Sequence, residues 1–104
     1  MKPRLMQVVY YKHDQDILKG YVYMKGRTSF CFVRYPKSVI RPFSEPHTSE
    51  LSYDSYGNAW FTTLAAAKNA VIEEYTTDNT DHIEFEKIHG NVYLGYIYDK
   101  NKEK

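Results

Sequence analysis

The chain has 104 residues, of which 42% are hydrophobic and 26% charged, with a formal net charge of +1. That balance suits one folded domain over residues 1–104 and excludes a disordered chain, a fibrous repeat or a pair of catalytic domains. No apolar run reaches the roughly 18 residues that cross a bilayer, Met1-Lys2-Pro3-Arg4 does not lead into a signal-peptide core, and Cys31 is the single cysteine, so a reduced, cytoplasmic chain without disulfides is expected.

Leu5 to Lys12, rich in valine and tyrosine, reads as a first strand that stops at the polar run His13-Asp14-Gln15-Asp16. Ile17 to Met24 and Arg27 to Tyr35 read as a hairpin around Lys25-Gly26, where glycine can supply a positive φ. Pro36 to Asn58 holds three prolines and five serines, with at most a short strand near Leu51 to Tyr53. So long a connection points to an irregular contact surface. Thr62 is placed to cap a helix over Leu64 to Tyr75, in which Leu64, Ala67, Val71 and Tyr75 form one apolar stripe. Thr76-Thr77-Asp78-Asn79 favours side-chain bonds to turns and ends that helix. His82 to Ile88 and Val92 to Tyr98 read as a second hairpin through His89-Gly90-Asn91, with Ile83, Phe85, Leu94 and Tyr96 on one face. The charged tail Asp99 to Lys104 is expected to fray.

The order β-β-β-α-β-β predicts an α+β fold: a four- to five-stranded, mainly antiparallel sheet covered on one face by a single amphipathic helix. The far face is then left to solvent or a partner. With a two-residue turn at Lys25-Gly26, Leu18, Val22, Met24, Cys31 and Val33 share the face suited to the helix. Lys19, Tyr21, Tyr23, Phe30, Phe32 and Arg34 share the other and are the predicted partner-binding residues. Rings set between cations can stack on unpaired bases or anchor a protein interface. Charge is divided along the chain in the same sense: residues 1–42 hold nine Lys/Arg against two acids, a net of +7, and residues 43–104 hold five lysines against eleven acids, a net of −6.

Ser29-Phe30-Cys31-Phe32-Val33-Arg34-Tyr35 resembles the aromatic core of the RNA-recognition-motif strand, whose alternating rings stack on bases. Thr28 and Ser29 stand where that family carries a basic residue and a glycine, and no helix precedes the hairpin, so the family's two-helix fold is not expected. Trp60-Phe61-Thr62-Thr63-Leu64-Ala65-Ala66-Ala67-Lys68 resembles the strand-to-helix passage of small phage-type and DNA-binding domains, a local solution that implies no function by itself.

Candidates for chemistry are few. His13-Asp14-x-Asp16 offers three ligand types on a loop with no second cluster to complete a site. His47-Thr48-Ser49 is half of the paired signature of two-histidine phosphoesterases, and no second copy follows. Cys31 alternates with Phe30 and Phe32 as a small buried residue would, and Glu84 and Glu86 share a strand face as solvated acids do. No catalytic residue, metal or cofactor is therefore expected. The function expected is that of a small non-catalytic macromolecule-binding protein, of the phage or prophage accessory type that inhibits a host defence or replication enzyme by occluding a surface. Its partner is expected to be a protein, with nucleic-acid binding at most weak, no membrane association, and a homodimer as a further option. The alternatives are a nucleic-acid-binding domain using the basic aromatic hairpin, and a small hydrolase or nuclease. Should the hairpin rings belong to the core, the acidic half with Glu73, Glu74, Glu84 and Glu86 becomes the better surface, as a mimic of phosphate charge.

Overall fold

The computed structural model describes residues 1–34, 48–88 and 91–100. β1 (Val8–His13) and β2 (Asp16–Lys25) form a tight antiparallel hairpin in which His13 pairs with Asp16. Asp14 takes a φ of 54° in that turn, a left-handed value that a short polar side chain tolerates. β3 (Ser29–Arg34) runs antiparallel to β2, and β4 (Thr48–Ser52) antiparallel to β3. A 3₁₀ turn, Tyr53–Ser55, carries the chain to β5 (Trp60–Phe61), which pairs with β1. Then come the helix α1 (Leu64–Tyr75) and the hairpin of β6 (Thr80–Ile88) and β7 (Val92–Asp99).

The sheet branches at β2. Ile17 and Leu18 pair with Tyr93 and Val92 of β7, and from Gly20 onward the same edge of β2 pairs with β3. One long strand thus serves two neighbours on one edge, and the sheet, with seven strands among the described residues ordered β4-β3-β2-β1-β5 and with β7 joined to β2 and β6 to β7, curls instead of lying flat. Gly95 seats the junction: a side chain there would stand 2.2 Å from the Gln15 carbonyl oxygen. With none, Gln15 Nε2 donates to the Gly95 carbonyl (3.0 Å), and the Gly95 N–H donates to Asp16 Oδ1 (2.9 Å). These bonds fix the β1–β2 turn against β7.

Both faces of the curled sheet are buried along much of their length. On one, Val9, Val22, Phe30, Phe32, Leu51, Tyr53 and Trp60 form a cluster joined by Tyr11 and Leu18. On the other, Ile17, Phe61 and Tyr93 receive Ala67 and Val71 of α1, with Leu64, Tyr75, Tyr10 and Phe85 at the margin. The predicted helical stripe is therefore the packed one. Its cap is Thr63, whose hydroxyl accepts from the Ala66 N–H, one residue beyond the Thr62 expected. An ion pair between Lys12 and Glu74 ties β1 to the outer side of α1.

The α+β class with one helix on an antiparallel sheet is as predicted; β4 overlaps the short strand expected near Leu51 to Tyr53, and β5 is added to the strands foreseen. Three details differ. The turn falls at Arg27-Thr28 and not at Lys25-Gly26: the Gly26 N–H donates to Ser29 O (2.7 Å), Lys25 pairs with Phe30, and a bulge between Val22 and Met24 moves the register so that Val22 pairs with Phe32 and Tyr21 with Val33. Tertiary contacts hold this turn, since the Tyr53 hydroxyl donates to the Gly26 carbonyl (2.8 Å) and the Tyr53 N–H to that of Thr28 (3.1 Å). In the second hairpin Ile88 pairs with Val92, which places Ile83 and Phe85 opposite Ile97 and Gly95, and Leu94 and Tyr96 opposite Glu86 and Glu84. Leu94 and Tyr96 therefore face away from Ile83 and Phe85. At the tail, Asp99 closes β7 against Thr80 and the Lys100 N–H donates to Asn79 O; 101–104 lie outside the described residues, as do most of the 36–58 connection and His89 and Gly90 of the second turn.

Candidate partner-binding site

The six residues predicted to form a partner face do not share one. Phe30 and Phe32 are each 1% exposed and stand in the core, Phe30 meeting the Trp60 ring edge to face at 4.9 Å. The far face of the hairpin was expected to be open because one helix cannot cover two faces. The curl of the sheet and the 3₁₀ segment cover it instead: Trp60 Nε1 donates to the Ser52 carbonyl (2.9 Å) and Tyr53 stacks on Phe30 at 5.9 Å. Gly20 makes room for Phe32, whose ring would lie 2.6 Å from a β-carbon at that position. Tyr21 is buried on the opposite face beside Val33, Lys19 is half-buried with its N–H donating to Asn91 O, and Arg34 pairs with Gly20 at the end of β3. Of the predicted rings Tyr23 alone is exposed, at the bulge, near the exposed Met6, whose N–H donates to Val22 O.

The other sites weighed from sequence stay apart. His13 and Asp14 are exposed at the β1–β2 turn while Asp16 is engaged by Gly95. Cys31 is half-buried on the side of β3 away from Phe30 and Phe32, and His47 lies outside the described residues. Among the described residues no group of three or more His, Cys, Asp or Glu is placed to hold a metal ion, and no helix is long and apolar enough to cross a membrane.

An open polar and aromatic face does exist, on the β6–β7 hairpin. Register sets His82, Glu84 and Glu86 of β6 opposite Tyr98, Tyr96 and Leu94 of β7, all on the side turned away from α1. His82, Glu84, Glu86, Tyr96 and Tyr98 are exposed, the two tyrosines to 40% and 39%. Their side chains are already ordered among themselves. The His82 imidazole lies between Asp81 Oδ2 (2.7 Å) and Glu84 Oε2 (2.9 Å) and stacks on Tyr98 with centroids 4.6 Å apart and planes at 11°. Hydrogen bonds to Asp81 and then Glu84 raise the imidazole pKa above its ordinary 6.5, because both carboxylates favour the cation. The Tyr96 hydroxyl donates to Glu86 Oε1 (2.9 Å), and this bond, lost on ionisation, lifts the phenol above 10.0.

Chemically this is a row of carboxylates beside flat rings held in place. Such a row pairs with guanidinium or ammonium groups, and the rings offer their faces to the same cations. The sequence puts Glu84 and Glu86 on a solvated strand face, which is where they are, whereas Tyr96, expected to share a face with Ile83 and Phe85, stands opposite Glu84. The signal that would have found the face is the pairing of Ile88 with Val92 across a three-residue turn, which fixes every opposite pair above it. Comparison with known protein families, with curated proteins and with solved structures gives no match.

Proposed function

We propose that this chain is a non-catalytic binding protein that holds a protein partner on the outer face of β6 and β7, and that the partner presents arginine or lysine there. The observation that carries the reading is the ordered, exposed set of Glu84, Glu86, Tyr96, Tyr98 and His82 on one strand-pair face. Tyrosine supplies contact area at small entropic cost, and prior hydrogen bonding of the acids and rings lowers what binding must order. The aromatic hairpin supports base stacking poorly, since Phe30 and Phe32 are core residues. Within this reading, inhibition by occlusion is the natural action: a carboxylate row covers a basic surface that would otherwise hold phosphates, the kind found on enzymes of host defence or replication.

Affinity capture from the native host tests it, using the wild-type chain and Glu84→Gln/Glu86→Gln, with nuclease treatment and at low and raised salt. The expected result is a protein partner that survives nuclease, weakens with salt and is lost on the double variant. Partners retained equally by the double variant, or lost on nuclease treatment, refute the assignment.

A further inference from the structure

The outer edge of β6 offers hydrogen bonds of its own. The Lys19 N–H donates to Asn91 O, the Gly95 N–H donates to Asp16, and the Gly95 carbonyl accepts from Gln15, so the backbone groups of Asn91, Tyr93 and Gly95 point toward β2 and its turn. Backbone direction alternates along a strand, so those of Val92, Leu94, Tyr96 and Tyr98 point toward β6. Their partners Ile88, Glu86, Glu84 and His82 return those bonds, which leaves the N–H and C=O groups of Ile83, Phe85 and Lys87 pointing away from β7. Among the described residues β6 pairs with β7 alone, so this row is an open edge on a strand of nine residues.

The two sides of the edge differ in kind. Glu84 and Glu86 stand on the outer side, and Ile83 and Phe85, both half-buried, on the side toward α1. A second copy of this chain fits the edge badly, because β6 against β6 sets glutamates against glutamates. We infer that the β6 edge takes up an extended segment of the partner as an added strand, one in which lysine or arginine alternates with apolar residues. The cations then meet Glu84 and Glu86 while the apolar side chains extend the surface of Ile83 and Phe85, and the partner's main chain bonds to Ile83, Phe85 and Lys87. This rests on the reading of the outer face as a cation-binding surface and adds the mode of binding.

The test uses the full chain and two synthetic peptides of alternating lysine and valine, as long as β6, one of them N-methylated at alternate residues so that one of its edges lacks N–H donors. Binding of the plain peptide, with amide exchange slowed at Ile83, Phe85 and Lys87 and affinity lower by about tenfold or more for the methylated peptide, is the result expected. Equal affinity for the two peptides, both weakened by Glu84→Gln/Glu86→Gln, overturns the added strand and leaves the cation-binding face standing. Affinity unchanged by that double variant overturns both. Lys87→Pro, which removes one outward N–H and none that faces β7, gives a second measurement: it should weaken the plain peptide, and unchanged affinity in a folded variant counts against the added strand.

Discussion

Replacing Gly95 by alanine should open the junction on which the branched sheet depends. The new methyl would lie 2.2 Å from the Gln15 carbonyl oxygen and 3.4 Å from the Phe85 ring, and the first of these is backbone that cannot rotate away. The β1–β2 turn must lift from β7, which breaks the bond from Gln15 Nε2 to Gly95 O and the bond from the Gly95 N–H to the Asp16 carboxylate. A neutral bond contributes about 1 kcal/mol and one to a charged group about 1.5–3 kcal/mol, while alanine's smaller unfolded-state entropy returns about 0.4–1 kcal/mol. The net loss is about 2–3 kcal/mol, a large share of the 5–15 kcal/mol typical of a domain. Urea unfolding followed through Trp60, which is fully buried, reads the change directly. A cycle with Asp16→Ala checks the cause: once the carboxylate is gone, the glycine substitution should cost less by about 1.5–3 kcal/mol, the contribution of the bond it can no longer break. A loss under about 0.5 kcal/mol for Gly95→Ala, or strict additivity in the cycle, would refute the seating of the turn.

Phe32→Ala should cost about 3–5 kcal/mol in the same assay, as core truncation does, while Tyr23→Ala at the exposed bulge should stay within about 0.5 kcal/mol; similar costs for the two would mean the hairpin faces are misassigned. Val71→Asp places a charge among Ile17, Phe61 and Tyr93 and should lower the melting temperature by 10 °C or more on the scale of about 4–8 °C per kcal/mol, whereas an unchanged value would show the stripe to be exposed. His82 should titrate above about 6.5 by NMR, and the upward shift should shrink in Glu84→Gln and more so in Asp81→Asn, the larger of the two causes. Because the folded-state value is raised, its stabilisation is complete below the unfolded value near 6.5 and is lost as pH rises through the folded value; His82→Gln should flatten stability in that window, and an equal slope in both proteins would contradict it. Glu86→Gln should likewise bring the Tyr96 phenol back toward 10.0, read by ultraviolet titration.

Local pattern carried the elements that depend on local chemistry. Leu64, Ala67, Val71 and Tyr75 repeat at helical spacing over alanine-rich sequence, so α1 and its packed stripe could be read directly. The β1–β2 and β6–β7 hairpins follow from valine- and tyrosine-rich runs broken by polar turns. Register was harder, because it depends on contacts that form only in the folded chain. Tyr53, far along the chain from Gly26, bonds to the β2–β3 turn, and the bulge after Val22 brings Val22 onto the side of Phe32. An aromatic hairpin and a covered core share the same alternation, so exposure of Phe30 and Phe32 could not be decided without knowing that Trp60 and Tyr53 return over them. The acidic face had the opposite fate: Glu84 and Glu86 were visible, but their tyrosine neighbours on β7 emerged only from the pairing across the second turn.

Hydrogen–deuterium exchange of the chain, free and bound to the partner it captures, addresses the binding site most directly. Protection on binding should concentrate in β6 and β7, greatest at Ile83, Phe85 and Lys87, with little change at Tyr23, Met24 and the segment from Met1 to Met6. Protection confined to that second group, with β6 exchanging as in the free chain, would contradict the assignment and move the interface to the apolar end of β2.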